Sequence, residues 1–106
     1  EDKLRRMAVR RSDVPFVREV PKLLKERGLS VRGLAREVGV TDAHLSRVLR
    51  GVDYKTVSGD LAGRVALALD LPQDYFPEFR QAFVIDRIRR DDQLRERLYK
   101  QLRKHS

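Results

Sequence analysis

Residues 29–51, LSVRGLAREVGVTDAHLSRVLRG, constrain this chain more tightly than any other stretch. Val31, Leu34, Ala35 and Val38 recur at the spacing of one buried helical stripe. Ser30 stands ahead of them as an N-cap, and Gly39 follows as a residue able to end the helix with a left-handed backbone. Ala35 is small where a partner helix must come close, and Val40 is placed to plug the turn. Thr41 caps a second helix, and Asp42 suits its positive end. Leu45, Val48 and Leu49 supply the buried face of that second helix. Ala43, Ser46, Arg47 and Arg50 fall opposite, Asp42 and His44 flank them, and Gly51 closes the unit.

Two short helices across a tight turn, the second with a polar outer face, can place that face in the major groove of DNA while the first braces it. A plain helical hairpin in a small all-α domain shares the apolar spacing. The Ala35–Gly39 spacing, the apolar plug, the threonine cap and the polar outer face are what set this stretch apart.

With these residues the chain resembles the helix-turn-helix domain of the phage repressor and Cro type, the XRE family. The pattern runs through Leu29-Ser30, Leu34-Ala35, Gly39-Val40-Thr41, Leu45-Ser46-Arg47-Val48 and Arg50-Gly51. It continues into Val65-Ala66-Leu67-Ala68-Leu69-Asp70-Leu71 and closes on Pro72-Gln73-Asp74-Tyr75-Phe76, so that it covers about residues 16–77. The resemblance implies an all-α, five-helix repressor-like domain. It also implies a transcriptional regulator, repressor or activator, that binds double-stranded DNA sequence-specifically with a recognition helix at about 42–50.

By the same resemblance, Asp42, Ala43 and Arg47 occupy base-reading positions. The fork of Arg47 matches guanine O6 and N7, a pair worth about 1–3 kcal/mol of discrimination. Asp42 either accepts from a cytosine N4 or serves only the helix N-terminus. Ala43 suits a thymine methyl, and His44 and Ser46 are further candidates for base contact. Phosphate contacts are expected from Arg32, Thr41 and Arg50, and from Tyr54 and Lys55 in the loop after Gly51. Three residues depart from the family pattern. Val31 replaces a polar residue that reaches phosphate, Pro21 interrupts the first helix, and Leu67 is apolar where a solvent-facing polar residue is usual.

The 106 residues suit one domain plus an extension, and the net charge of +8 with a pI near 10.4 favours polyanions. Arginine outnumbers lysine. That bias suits bidentate phosphate and guanine contacts, and a GC-rich genome would produce it equally. Residues 1–12 are read as a flexible basic arm, a tail rather than a DNA-touching segment, and 13–77 as the DNA-binding domain. A first helix is expected over about Pro15–Arg27, with Phe16, Val20, Leu23 and Leu24 inward. It either bends at Pro21 or begins near Val20. A fourth helix over about Ser58–Leu69 contains Gly59 and Gly63, a cost normally offset by the close approach of another segment, here the C-terminal one. Pro72–Phe76 is read as a short turn of helix.

Residues 78–106 read as a helical extension, with a break near Asp91-Asp92. Phe79, Phe83, Val84, Ile88, Leu94, Leu98 and Leu102 form an apolar seam too narrow to be stable alone. It needs either the fourth helix or a second copy, and a homodimer through Phe83, Ile88, Leu94, Leu98 and Leu102 is the expectation, on a palindromic site.

Other classes fit poorly. Without cysteine there is no disulfide, zinc knuckle or thiol chemistry. His44 and His105 are the only histidines, and Asp42, His44 and Ser46 alternate along one helix, so they form no triad. No glycine-rich phosphate loop or metal cluster appears, and neither an enzyme nor a cofactor is expected. Aromatic platforms for RNA are missing. No run is apolar enough to span a bilayer, and the interleaved Asp86, Asp91, Asp92 and Glu96 disfavour an anionic membrane surface. A cytoplasmic, nucleoid-associated protein of a bacterium or phage is expected. Glu1 in place of Met fits a fragment of a longer chain. The alternative is a protein-interaction module of antitoxin or anti-repressor type, whose basic C-terminal helix captures an acidic partner.

Overall fold

Among the described residues, 10–51 and 57–105, the computed structural model has six helices and no strand. They are α1 (Phe16–Arg27), α2 (Val31–Val38), α3 (Asp42–Arg50), α4 (Gly59–Ala68), α5 (Pro77–Arg90) and α6 (Asp92–Lys104). The chain is all-α, with a helix-turn-helix in α2–α3 and additional C-terminal helices.

Local chemistry sets four of the helix starts. The hydroxyls of Ser30, Thr41 and Ser58 accept from the backbone N–H groups of Gly33, His44 and Leu61, each at 3.0 Å. The Asp91 carboxylate does the same for Leu94 N–H, also at 3.0 Å. Each bond satisfies a donor that the first helical turn otherwise leaves orphaned. Asp91 itself is extended, with φ −115° and ψ 99°, which breaks the C-terminal segment at the aspartates as expected. Arg95 braces that corner by donating to the carbonyls of Ile88 and Arg89.

The start of α1 has no such cap of its own, because Pro15 offers no side-chain acceptor. Glu78 supplies it from 62 residues away: its Oε2 and Oε1 accept Phe16 N–H at 3.0 and 3.2 Å. An anion there also complements the positive end of the helix. The helix then runs through Pro21, which is exposed, so the alternative start near Val20 does not apply.

The core gathers one face from each of α1 to α4. Phe16, Leu45, Val65, Ala66 and Phe76 are fully buried, with Val20, Leu24, Leu34, Ala35, Val38, Leu61 and Leu69 around them. The rings of Phe16 and Phe76 meet edge-on at 5.0 Å. Residues 72–76 form not a helical turn but a single reverse turn, closed by Tyr75 N–H donating to the Pro72 carbonyl at 3.0 Å. Pro77 at the first position of α5 keeps Phe76 extended, and the four residues between the two prolines leave no room for a helix.

The glycines of α4 serve the role expected of them. A Cβ on Gly59 would lie 2.5 Å from the Cβ of Ala82, and one on Gly63 would lie 3.0 Å from the ring of Phe79. So α5 lies on α4 at a separation that only side-chain-free positions permit. Arg80, on the first turns of α5, donates to the carbonyls of Asp74, Tyr75 and Ser12 at 2.7–2.8 Å. Ser12 N–H in turn donates to the Tyr75 carbonyl at 2.9 Å.

Gly59 is the first residue of α4, so Gly59→Ala gains less than the about 1 kcal/mol of a helix interior, while it overpacks the α4–α5 contact at a cost of about 1–3 kcal/mol. Both clashing atoms are Cβ atoms, fixed by their backbones, so no rotamer relieves them. We expect a net loss of about 1 kcal/mol, read as a lower urea midpoint. A second expectation concerns Tyr75, whose O–H donates to Glu19 Oε2 at 2.8 Å. Burial, then the hydrogen bond and charge of Glu19, push its phenol up from 10.0 to about 12. A raised acid pKa means that this contribution is whole below pH 10 and is lost as pH climbs from 10 through 12. Thermal melts should show stability falling across that window, with a smaller fall in Tyr75→Phe.

Candidate nucleic-acid interface

The turn that presents α3 begins at Gly39, whose φ of 78° is a left-handed conformation that a side chain would strain. Val40 N–H returns to the Ala35 carbonyl at 3.0 Å, and the half-buried Val40 side chain packs against the core. Val31, the departure at the start of α2, also packs there. Leu45 is fully buried and Val48 and Leu49 half-buried, so α3 is held by its inner face.

That leaves its outer face in solvent. Ala43, Arg47 and Arg50, at i, i+4 and i+7, share one side of the helix, and all three are exposed. Asp42 and His44 flank them and are exposed as well, whereas Ser46 is half-buried. Asp42 is already engaged: Oδ1 accepts Ala43 N–H at 3.0 Å, and Oδ2 lies 3.6 Å from Nε of Arg32. Of its two expected roles, the one at the helix N-terminus is visible in the free protein. A base contact would have to displace at least one of these partners.

The Arg32–Asp42 pair joins the first turn of α2 to the first turn of α3, so a cation flanks the outer face on that side. On the other side, a groove between α3 and α4 is lined by Thr41, Ala43, His44 and Arg47 from one wall and Ser58, Asp60 and Arg64 from the other. Sequence reasoning missed Arg64 and Asp60. Their i,i+4 spacing marks an ion pair on a helix surface, and it forms at 3.3 Å. Nothing local, however, places that surface beside the Gly39 turn. Of the expected phosphate contacts, Arg32, Thr41 and Arg50 are exposed around α2 and α3, and Tyr54 and Lys55 lie outside the described residues.

The five expected dimer residues divide. Ile88, Leu94 and Leu98 are half-buried on the two helices that meet at the Asp91 corner. Phe83 and Leu102 are 62% and 69% exposed. Val84 is also at least half exposed, and so are Ile85 and Tyr99, which lie off the seam and were not anticipated. Leu67 is uncovered too. Among the described residues no cluster of His, Asp or Glu is arranged to hold a metal ion. Among the described residues, no helix is long and apolar enough to cross a membrane.

Compared with known families, residues 22–76 match the model described as helix-turn-helix. No curated protein and no solved structure matches the chain.

Proposed function

The chain belongs to the helix-turn-helix family of XRE type, a family of DNA-binding transcription regulators, and from that premise we propose that it reads a specific site with α3 in the major groove. The observation that carries this reading is the outer face of α3: exposed, headed by a capped helix N-terminus, and backed by a fully buried Leu45. In this reading Arg47 meets guanine, Ala43 meets a thymine methyl, and Asp42, His44 and Ser46 edge the same surface. Arg32, Thr41 and Arg50, with Tyr54 and Lys55, hold the phosphates and set register without reading sequence. The role is regulatory and non-catalytic, exercised on bacterial or phage DNA in the cytoplasm.

One such helix reads only a few base pairs, so the proposal includes a homodimer on a palindromic site, with half-sites about 34–36 Å apart. Its contact uses the apolar residues left open on α5 and α6, Phe83 and Leu102 foremost. A second reading rests on the same exposure: α5 and α6 capture an acidic protein, and the helix-turn-helix serves as scaffold.

Selection of bound sequences from random duplexes should return a half-site containing a guanine, and Arg47→Ala should relax preference at that one position by about 1–3 kcal/mol. An unchanged preference would remove Arg47 from the base-reading set. The double substitution Phe83→Asp, Leu102→Asp should leave the helical content intact, shift sedimentation at high protein concentration towards monomer and weaken binding to the two-half-site duplex far more than to a single half-site. Equal losses on both duplexes would count against the dimer and leave the DNA-binding reading standing.

A further inference from the structure

Arg64 stands on the exposed side of α4, and its guanidinium lies against the turn that launches α3. Its Nη2 occupies the space above Gly39, where a Cβ would come within 3.1 Å of it. Its Nη1 is 3.3 Å from Oδ2 of Asp60, one helical turn back. Both side chains are open to solvent, at 47% and 77% exposure. They share one groove with Thr41, Ala43, His44 and Arg47. Across α3, Arg32 is paired in the same manner with Asp42. The outer face of α3 is therefore bracketed by two arginines, one from α2 and one from α4, each held by a nearby carboxylate.

A duplex that receives α3 in its major groove, about 12 Å wide, presents a phosphate ridge on each side of the helix. A cation on each flank meets a different strand. Exposed carboxylate–guanidinium pairs are weak, while a phosphate offers a guanidinium two parallel charge-assisted bonds. The groove thus holds a fork already aimed, with a partner it can leave.

We propose that Arg64 is a phosphate-binding residue of the DNA interface, contacting the strand opposite the one met by Arg32, and that Asp60 is a built-in competitor which must release it. This rests on the reading of α3 as the recognition helix. It adds a contact from outside the helix-turn-helix and a mechanism that restrains non-specific binding. Asp60 occupies the position that a phosphate oxygen takes in the complex, so its carboxylate penalises every sequence alike.

The test is fluorescence anisotropy across a salt series, with a selected site and a random duplex, on the full chain. Arg64→Gln should weaken both duplexes by about fivefold to tenfold at 0.1 M salt and reduce the log–log salt slope by about 0.9, the signature of one lost phosphate contact. The selected sequence preference should not change. Lys100→Gln, which removes the same charge from α6, should move the slope by much less. Asp60→Asn should tighten binding to both duplexes about two- to threefold, and this gain should vanish in the Arg64→Gln background. Circular dichroism melts confirm that each variant is folded.

Salt slopes unaltered by Arg64→Gln would overturn the phosphate contact, while Arg47→Ala still tests the recognition helix independently. A gain from Asp60→Asn that persists without Arg64 would overturn the competitor role, because it would then report only the removal of a negative charge near DNA. Failure of the unsubstituted chain to bind either duplex would sink the function reading and this inference together.

Discussion

Ala82 can rest on α4 because Gly59 carries no Cβ, and Phe79 reaches Gly63 for the same reason. That contact fixes α5, and what α5 carries then reaches the far end of the domain. Glu78 caps α1, and Arg80 ties together the carbonyls of residues 12, 74 and 75. The capped α1 packs on α3 and puts Phe16 against Phe76 in the centre of the core. Helix α3 is therefore supported by a chain of contacts that begins at two glycines in a different helix. Loss of the α4–α5 contact would uncap α1 and loosen the surface on which α3 is laid.

What was legible in the sequence was what local chemistry decides. Ser30, Thr41 and Ser58 announce helix starts because a hydroxyl three residues before a free N–H has one obvious use, and Gly39 announces a stop because only glycine accepts its backbone at little cost. The polar face of α3 follows from its period. Legibility fails where partners are far apart in the chain. Glu78 reads as an ordinary first-turn acid of its own helix, yet it caps another one 62 residues earlier. Arg64 reads as half of a surface ion pair, and only tertiary packing carries it to the Gly39 turn. Residues 72–76 read as a short turn of helix, and they settle instead into one reverse turn between the prolines at 72 and 77.

Charge on this molecule is less one-sided than its net value suggests. A net charge of +8 on 106 residues favours any polyanion, and counterion release makes such binding indifferent to sequence. Around α3, however, the arginines do not stand as a bare cationic field. Arg32 faces Asp42, and Arg64 faces Asp60. In the proposed interface each carboxylate would repel a phosphate that approaches in the wrong register, and each arginine is exposed enough to exchange partners once α3 is seated. Specificity is a difference of affinities, and lowering the non-specific term raises it as effectively as adding a base contact. The Gly39 slot, the capped start of α3 and these paired charges then act on one surface.

The apolar residues of α5 and α6 set a limit on the strength of self-association. Phe83, Val84 and Ile85 are all at least half exposed, yet consecutive residues on a helix are about 100° apart, so the three cannot enter one flat contact. In the proposed homodimer a partner copy would cover one or two of them together with Leu102 or Tyr99, a small apolar contact beside the about 800 Å² per side of a standard stable interface. A homodimer built there is accordingly weak in free solution. Two half-sites on one duplex change that balance, because binding of the first copy places the second at a high effective concentration. Under the proposed function weak pairing would be useful: a single copy would not hold a chance half-site for long, and only a site with both halves in register would draw on the α5–α6 contact and two copies of α3 at once.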